Sequence, residues 1–260
     1  MINSLELWKV HLPTVDASSN KYTRGHAVIF GGDPMTGAAR LAARSCARIG
    51  AGLTTILVES RALDVYAKHL ESNMVRAVDG TNDARDVLSD ARISSVLVGP
   101  GLGVSTRTKN LTLAALESGH PVIVDADSIS VFSDATAELA DHLRPDCVLT
   151  PHEGEFSRLF DLDGSREDRA MAAARKCGAI IVLKGSQTVI AGPDGRCVVN
   201  PPASPHLATA GSGDVLAGII TGLIAQSMPS FEAACAGVWV HSALGRHIGI
   251  GMIADDMPDS

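Results

Sequence analysis

Residues 96–103 read Val-Leu-Val-Gly-Pro-Gly-Leu-Gly. Three aliphatic residues without polar alternation predict a strand buried on both faces, and the glycine-rich run after them closes it abruptly. The same order recurs outward along the chain. Ala27–Phe30 ends in Gly31-Gly32, Pro121–Val124 in Asp125-Ala126-Asp127, Cys147–Leu149 in Thr150-Pro151-His152, and Ala179–Leu183 in Lys184-Gly185. Between them, Gly37–Ile49 reads as an Ala-rich helix closed by Gly50-Ala51-Gly52, and Thr54–Val58 as a further strand. Short apolar run, special residues, then a longer amphipathic run is the pattern of an α/β fold with a mostly parallel sheet and helices on both faces. Thr188–Ala191 and Cys197–Asn200 flank Pro193-Asp194-Gly195-Arg196, which adds a small β-hairpin extension. In open sheets of this kind, ligands bind beyond the carboxyl ends of the strands.

At 260 residues the chain can bury one large core, and with 3% aromatic residues that core is aliphatic. No repeat or linker divides it, so a single domain over 1–260 is expected. Residues 1–20 read as an irregular packed arm, and 254–260 as a disordered tail. Val215–Gln226 and Phe231–Ile248 read as two apolar helices that either fill the core or pack on a second copy in a dimer or tetramer. A net charge of −7 argues against nucleic acid as the main partner. No apolar run of membrane-spanning length occurs, so a soluble cytoplasmic protein with no membrane role is expected. Five cysteines without a Cys-x-x-Cys argue against a disulfide framework or zinc ribbon. His152-Glu153 is followed at position 156 by Phe, not the second His that a zinc helix needs.

The stretch 207–218, Leu-Ala-Thr-Ala-Gly-Ser-Gly-Asp-Val-Leu-Ala-Gly, carries the chemistry. Gly211, Ser212 and Gly213 run into an apolar helix whose first turn leaves amide donors unpaired at the positive end of its dipole. Such a turn receives phosphate. Asp214 at that junction reads either as a helix cap or as a base that takes a proton from a hydroxyl attacking the phosphate. Lys184-Gly185-Ser186-Gln187-Thr188 reads either as a solvated hairpin shoulder or as a phosphate contact. Glu155 reads either as a dipole-complementing residue or as a carboxylate reaching Mg²⁺ through water, and His152 as a ligand contact or a satisfied turn histidine. Neither Gly31-Gly32-Asp33 nor Gly99–Gly103 completes a Gly-x-Gly-x-x-Gly fingerprint, and no Gly-x-x-x-x-Gly-Lys-Ser/Thr is present.

Taken in order, Val28–Gly32 with Gly37-Ala38-Ala39, Gly50–Leu53, Gly99–Gly103, Asp125–Asp127, Leu149–Glu155, Leu183–Thr188, Asn200 and Ala208–Gly218 resemble the NAD(P)H-hydrate dehydratase family of the ribokinase-like superfamily. The resemblance covers nearly the whole chain and implies a ribokinase-like three-layer sandwich. It implies an ADP- or ATP-dependent, Mg²⁺-assisted dehydration of the S form of hydrated NADH or NADPH. The 6-hydroxyl is phosphorylated and phosphate then leaves. It implies Asp214 as base, Gly211, Ser212 and Gly213 as phosphate cradle, and Lys184, Gly185, Ser186, Gln187 and Thr188 as nucleotide contacts. Ala38, Ala39, Gly101, Gly103, His152, Glu155 and Arg158 would wall the hydrated dinucleotide. The chain departs from the family at Ala210, often Gly, and at Pro205-His206-Leu207, where a longer Gly/Asn-rich lead is usual. Many relatives carry a fused N-terminal epimerase domain; with twenty irregular leading residues, this chain is expected to be the dehydratase alone, relying on a separate epimerase. Two alternatives compete: a kinase of the same superfamily acting on a vitamin-precursor alcohol, and a nucleotide sensor without chemistry. The kinases often carry Asn-x-x-Glu where this chain has His152-Glu153-Gly154-Glu155.

Overall fold

The computed structural model describes residues 1–260. In chain order the elements are β1 (His26–Phe30), α1 (Thr36–Arg48), β2 (Leu53–Val58), α2 (Leu63–Ala67), β3 (Met74–Ala77), α3 (Thr81–Leu88), β4 (Ser95–Val98) and α4 (Thr106–Glu117). There follow β5 (Val122–Val124), α5 (Asp127–Ser130), α6 (Thr136–His142), β6 (Val148–Leu149), α7 (Glu153–Leu159) and α8 (Arg166–Cys177). The chain closes with β7 (Ile180–Leu183), β8 (Val189–Ala191), β9 (Cys197–Val199), α9 (Ser212–Ala225) and α10 (Ser230–Ile248).

The nine strands form one sheet in the order β3-β2-β1-β4-β5-β6-β7-β8-β9. Pairing is parallel from β3 through β7, and the β7-β8-β9 meander is antiparallel. Side chains alternate between two cores, as the pleat requires. Ala27 and Ile29 of β1 join the layer of α1, α9 and α10, whereas Val28 and Phe30 join the layer of α3, α4, α7 and α8. This is the expected three-layer sandwich. The edge strand β3 carries no aliphatic run long enough to be read from the sequence, and most of it is exposed.

The strand order reverses on either side of β1, since β2 lies on one flank and β4 on the other. The loops after β1 and β4 meet at the carboxyl edge, where the Gly101 carbonyl lies where a Gly32 side chain would be. Helix α9 crosses beneath the sheet and packs chiefly on α1. That approach depends on Gly218, where a methyl group would lie 2.2 Å from the Ala42 carbonyl oxygen. Both C-terminal helices fill the core: α9 is buried from Val215 to Ala225 without interruption.

The first residues form an arm pinned to the hairpin edge. Ile2 bridges Val199, and the Asn3 amide donates to Asn200 Oδ1 at 2.9 Å and to the Cys235 carbonyl at 2.8 Å. Trp8 is buried edge-on against Trp239. The disordered tail expected at 254–260 is corrected by the structure. Ala254–Asp259 forms a short 3₁₀ segment whose Ala254, Met257 and Pro258 are buried, because these apolar residues complete the core over α1 and α9. The five cysteines are free, and no helix is long and apolar enough to cross a membrane.

Candidate active site

The site lies where the carboxyl ends of β4, β5, β6 and β7 meet the N-terminus of α9. Gly211 opens the helix at φ +87°, a conformation that glycine adopts without steric cost. The helix makes its first backbone bond from Val215 N–H to the Gly211 carbonyl, so the N–H groups of Gly213 and Asp214 find no partner in the protein. Two bare donors therefore stand at the positive end of a 14-residue helix, the position at which the sequence leads one to expect an anion hole.

Lys184 closes that hole from the end of β7. A methyl placed on Gly213 would stand 3.6 Å from its Nζ, so glycine leaves the ammonium and the helix terminus face to face. The ammonium donates to Asp125 Oδ1 at 2.8 Å, and Thr150 Oγ1 donates to the same oxygen at 2.7 Å. Asp125 is buried, and Ala126 beside it adopts φ +49°, an uncommon backbone state for a residue with a Cβ. This turn puts Asp125 toward Lys184 and Asp127 toward Gly103, whose N–H donates to Asp127 Oδ2 at 2.8 Å. Burial alone would lower the Lys184 pKa. The carboxylates of Asp125, Glu155 and Asp214 outweigh it and hold the ammonium above its ordinary range.

Burial pushes the Asp214 carboxyl up to about 7, reinforced by the negative charge of Asp125 and Asp127 and opposed by Lys184. A carboxyl balanced near neutrality accepts and returns protons readily. Behind it, buried His241 directs Nε2 at the Ser212 hydroxyl (3.0 Å) and carbonyl (2.9 Å), with the proton assigned to Nε2 by that carbonyl. Burial lowers the His241 pKa to about 4, so it is a neutral strut for the cradle.

Beside the anion hole opens a cavity of about 590 Å³. Lys184, Gly185, Ser186 and Thr188 line one side, and Leu207, Thr209, Ser212, Gly213 and His241 the other. Arg166 sets the first wall: its Nη2 donates to the carbonyls of Leu183 (3.1 Å) and Lys184 (3.0 Å), and Nη1 pairs with Glu153. Gln187 is exposed outside this lining, and Gly211 shapes the turn without facing the cavity.

The dinucleotide-side residues divide. Ala38 and Gly103 reach solvent by the loops after β1 and β4, whereas His152, also exposed, lines the cavity beside Lys184. Ala39 does not: it is 0% exposed, on the face of α1 that packs into the core, and cannot wall a ligand with its side chain. Gly101 is likewise buried; at φ +71° it lets the loop after β4 pass Met35, and its carbonyl lies where a Gly32 side chain would be. Glu155 is 7% exposed and caps α7, with Oε2 accepting the His152 N–H at 2.8 Å while the His152 ring accepts the Glu155 N–H. Burial raises its pKa against the pull of Lys184. Arg158 stands exposed at the end of α7 without an ion-pair partner. Asp125, Thr150 and Arg166 were assigned no role from the sequence. Asp125 carried a signal, a polar residue ending a buried strand; His241, inside an apolar helix, carried none.

This arrangement of anion hole, lysine and carboxylate coincides with a match along the sequence. The family model described as NAD(P)H-hydrate dehydratase matches residues 26–254. The chain belongs to the NAD(P)H-hydrate dehydratase family. An ADP-dependent (S)-NAD(P)H-hydrate dehydratase of Neisseria meningitidis is 40% identical over 86% of this chain and 77% of its own. A bifunctional NAD(P)H-hydrate repair enzyme of Coxiella burnetii is 36% identical over 89% of this chain but 47% of its own, so the chain spans about half the length of such relatives. The crystal structure of the ADP/ATP-dependent NAD(P)H-hydrate dehydratase of Bacillus subtilis, obtained with ATP and Mg²⁺, superimposes with a TM-score of 0.85 at 31% identity, covering 99% of this chain and 95% of that one.

Proposed function

We propose that this protein dehydrates the S form of NAD(P)H-hydrate at the expense of ADP or ATP. The observation that carries the reading is Asp214, raised to about 7, placed in the same helical turn as two unpartnered amides and facing the Lys184 region. In this reading the nucleotide occupies the cavity between the Lys184 loop and α9, with its terminal phosphoryl group on the amides of Gly213 and Asp214. Asp214 takes the proton from the 6-hydroxyl as its oxygen bonds to that phosphorus and the bond to the nucleotide's leaving oxygen breaks. Lys184 and the helix dipole stabilise the charge on the transferring group. Phosphate then departs from C6 with the C–O electrons while the ring nitrogen donates its pair, and loss of a C5 proton restores the ring.

The donor set fits Mg²⁺ carried mainly by phosphate oxygens. No three potential metal ligands cluster in the protein, and Asp125 is already paired with Lys184. Glu155 is proposed to meet the hydrated ion through water. The ion would neutralise phosphate charge. We also propose functional coupling to an epimerase of the R form, a reading that the bifunctional repair relatives support. The test is recovery of NADH absorbance from hydrated NADH on adding ADP or ATP with Mg²⁺. Accumulation of a stable phosphorylated alcohol without NADH would instead place the chain among the kinases.

A further inference from the structure

At the opposite edge of the sheet, where β1, β2 and β3 begin, a second cleft of about 690 Å³ opens between the end of α1 and the segment joining α2 to β3. Four fixed cations line it, Arg24, Arg44, Arg48 and Lys68, against two carboxylates, Glu71 and Asp259. A local excess of positive charge in a chain of net charge −7 departs from the average surface. Arg44 and Arg48 stand four residues apart and therefore share one face of α1. Arg24 and Lys68 come from separate segments, so the cations enclose the cleft from more than one side.

Two further observations point to a ligand. Asn73 lines the cleft at 7% exposure, and its Nδ2 donates to nothing in the protein. Buried Nε of Arg24 is unpartnered as well. Buried donors without acceptors are uncommon and call for an anion or water oxygen. The third is what covers the guanidinium groups now: the Asp259 carboxylate pairs with Arg44 and, at 2.8 Å, with Arg48. A carboxylate from the tail thus stands where a ligand oxygen would bind, with one oxygen on the Nη2 of each arginine.

From these contacts we infer that this cleft is a second, non-catalytic site for a diphosphate, held by Arg24, Arg44, Arg48, Lys68 and Asn73 in competition with Asp259. The cation set matches two phosphoryl groups, and the cleft has room for an organic substituent on them. The tail gives the site a route to the catalytic turn: its first residue, Ala254, has its Cβ 2.9 Å from where a Gly211 side chain would begin.

The test is the stoichiometry of inorganic pyrophosphate bound by the whole protein, measured by equilibrium dialysis. The intact chain is expected to bind one equivalent more than the exposed-charge variant Arg48→Glu/Lys68→Glu. Asp259→Ala is expected to tighten that extra equivalent by roughly fivefold, since it removes an internal competitor worth about 1 kcal/mol. Tighter binding of uridine diphosphate than pyrophosphate at this site would identify an organic diphosphate as its guest; the reverse order would identify the inorganic ion. Equal stoichiometry in the intact chain and Arg48→Glu/Lys68→Glu, with both folded by circular dichroism, would overturn the inference. Initial dehydratase turnover of Arg48→Glu/Lys68→Glu with ATP as co-substrate should match the unmodified protein, which separates failure here from failure at Asp214.

Discussion

A carboxyl group held near pH 7 by burial reports its role in two opposite directions. Because the folded-state pKa of Asp214 lies above its ordinary value of 3.8, the group adds most to stability below pH 4, in its protonated form. That contribution is lost as pH rises through about 7. Activity moves the other way, since only the ionised form accepts a proton. Turnover should therefore rise through pH 7 and level off above it, and a flat pH–rate profile between 5 and 9 would remove Asp214 as the base. Asp214→Asn should lower kcat by roughly 10²–10⁴ while raising Tm at pH 8, by about 2–4 °C for each kcal/mol recovered. Gly213→Ala tests the neighbouring cradle. Its methyl would meet the Lys184 ammonium at 3.6 Å, so the fold should persist while the nucleotide KM increases roughly tenfold, about 1.4 kcal/mol of lost phosphate contact.

At the scale of elements, α9 both fills the core and aims the anion hole, so its packing and chemistry are coupled. Gly218→Ala would press a methyl to 2.2 Å from the Ala42 carbonyl and lift α9 off α1. A destabilisation of about 1–3 kcal/mol is expected, read as a lower midpoint in urea; an unchanged midpoint would mean that the two helices have slack. The buried strands, the hairpin and both C-terminal helices were legible from residue order, because an aliphatic run ended by glycine or aspartate has few other solutions. β3 was not, since an exposed edge strand buries no periodic face. Nor was the tail: its polar composition hid the buried Ala254 and Met257 that seal the core. Asp214 and Lys184 announced themselves by standing at element junctions. Ala39 misled because a small residue on a helix reads the same facing a ligand or a core, and only the helix phase, buried inward, decides it.

For the whole molecule, the parallel sheet brings residues as far apart as Asp125 and Asp214, 89 positions, to one edge. Asp125, Lys184 and Asp214 each end or begin a different element, and burial, reinforced by Asp125 and opposed by Lys184, sets the Asp214 pKa on which the proposed reaction rests. Removing Lys184 should therefore act beyond nucleotide affinity. Lys184→Met leaves Asp214 without its opposing cation, so the activity midpoint should shift to higher pH as well as the nucleotide KM rising; a change in KM alone would show that the two groups do not sense each other. The most direct measurement of the central claim is the rate at which NADH absorbance returns from the S form of hydrated NADH with Mg²⁺ and ADP or ATP, run on the unmodified chain and on Asp214→Asn side by side. Nucleotide-dependent recovery is expected from the former and a loss of at least a hundredfold in the latter; equal rates from the two proteins would remove Asp214 from the reaction.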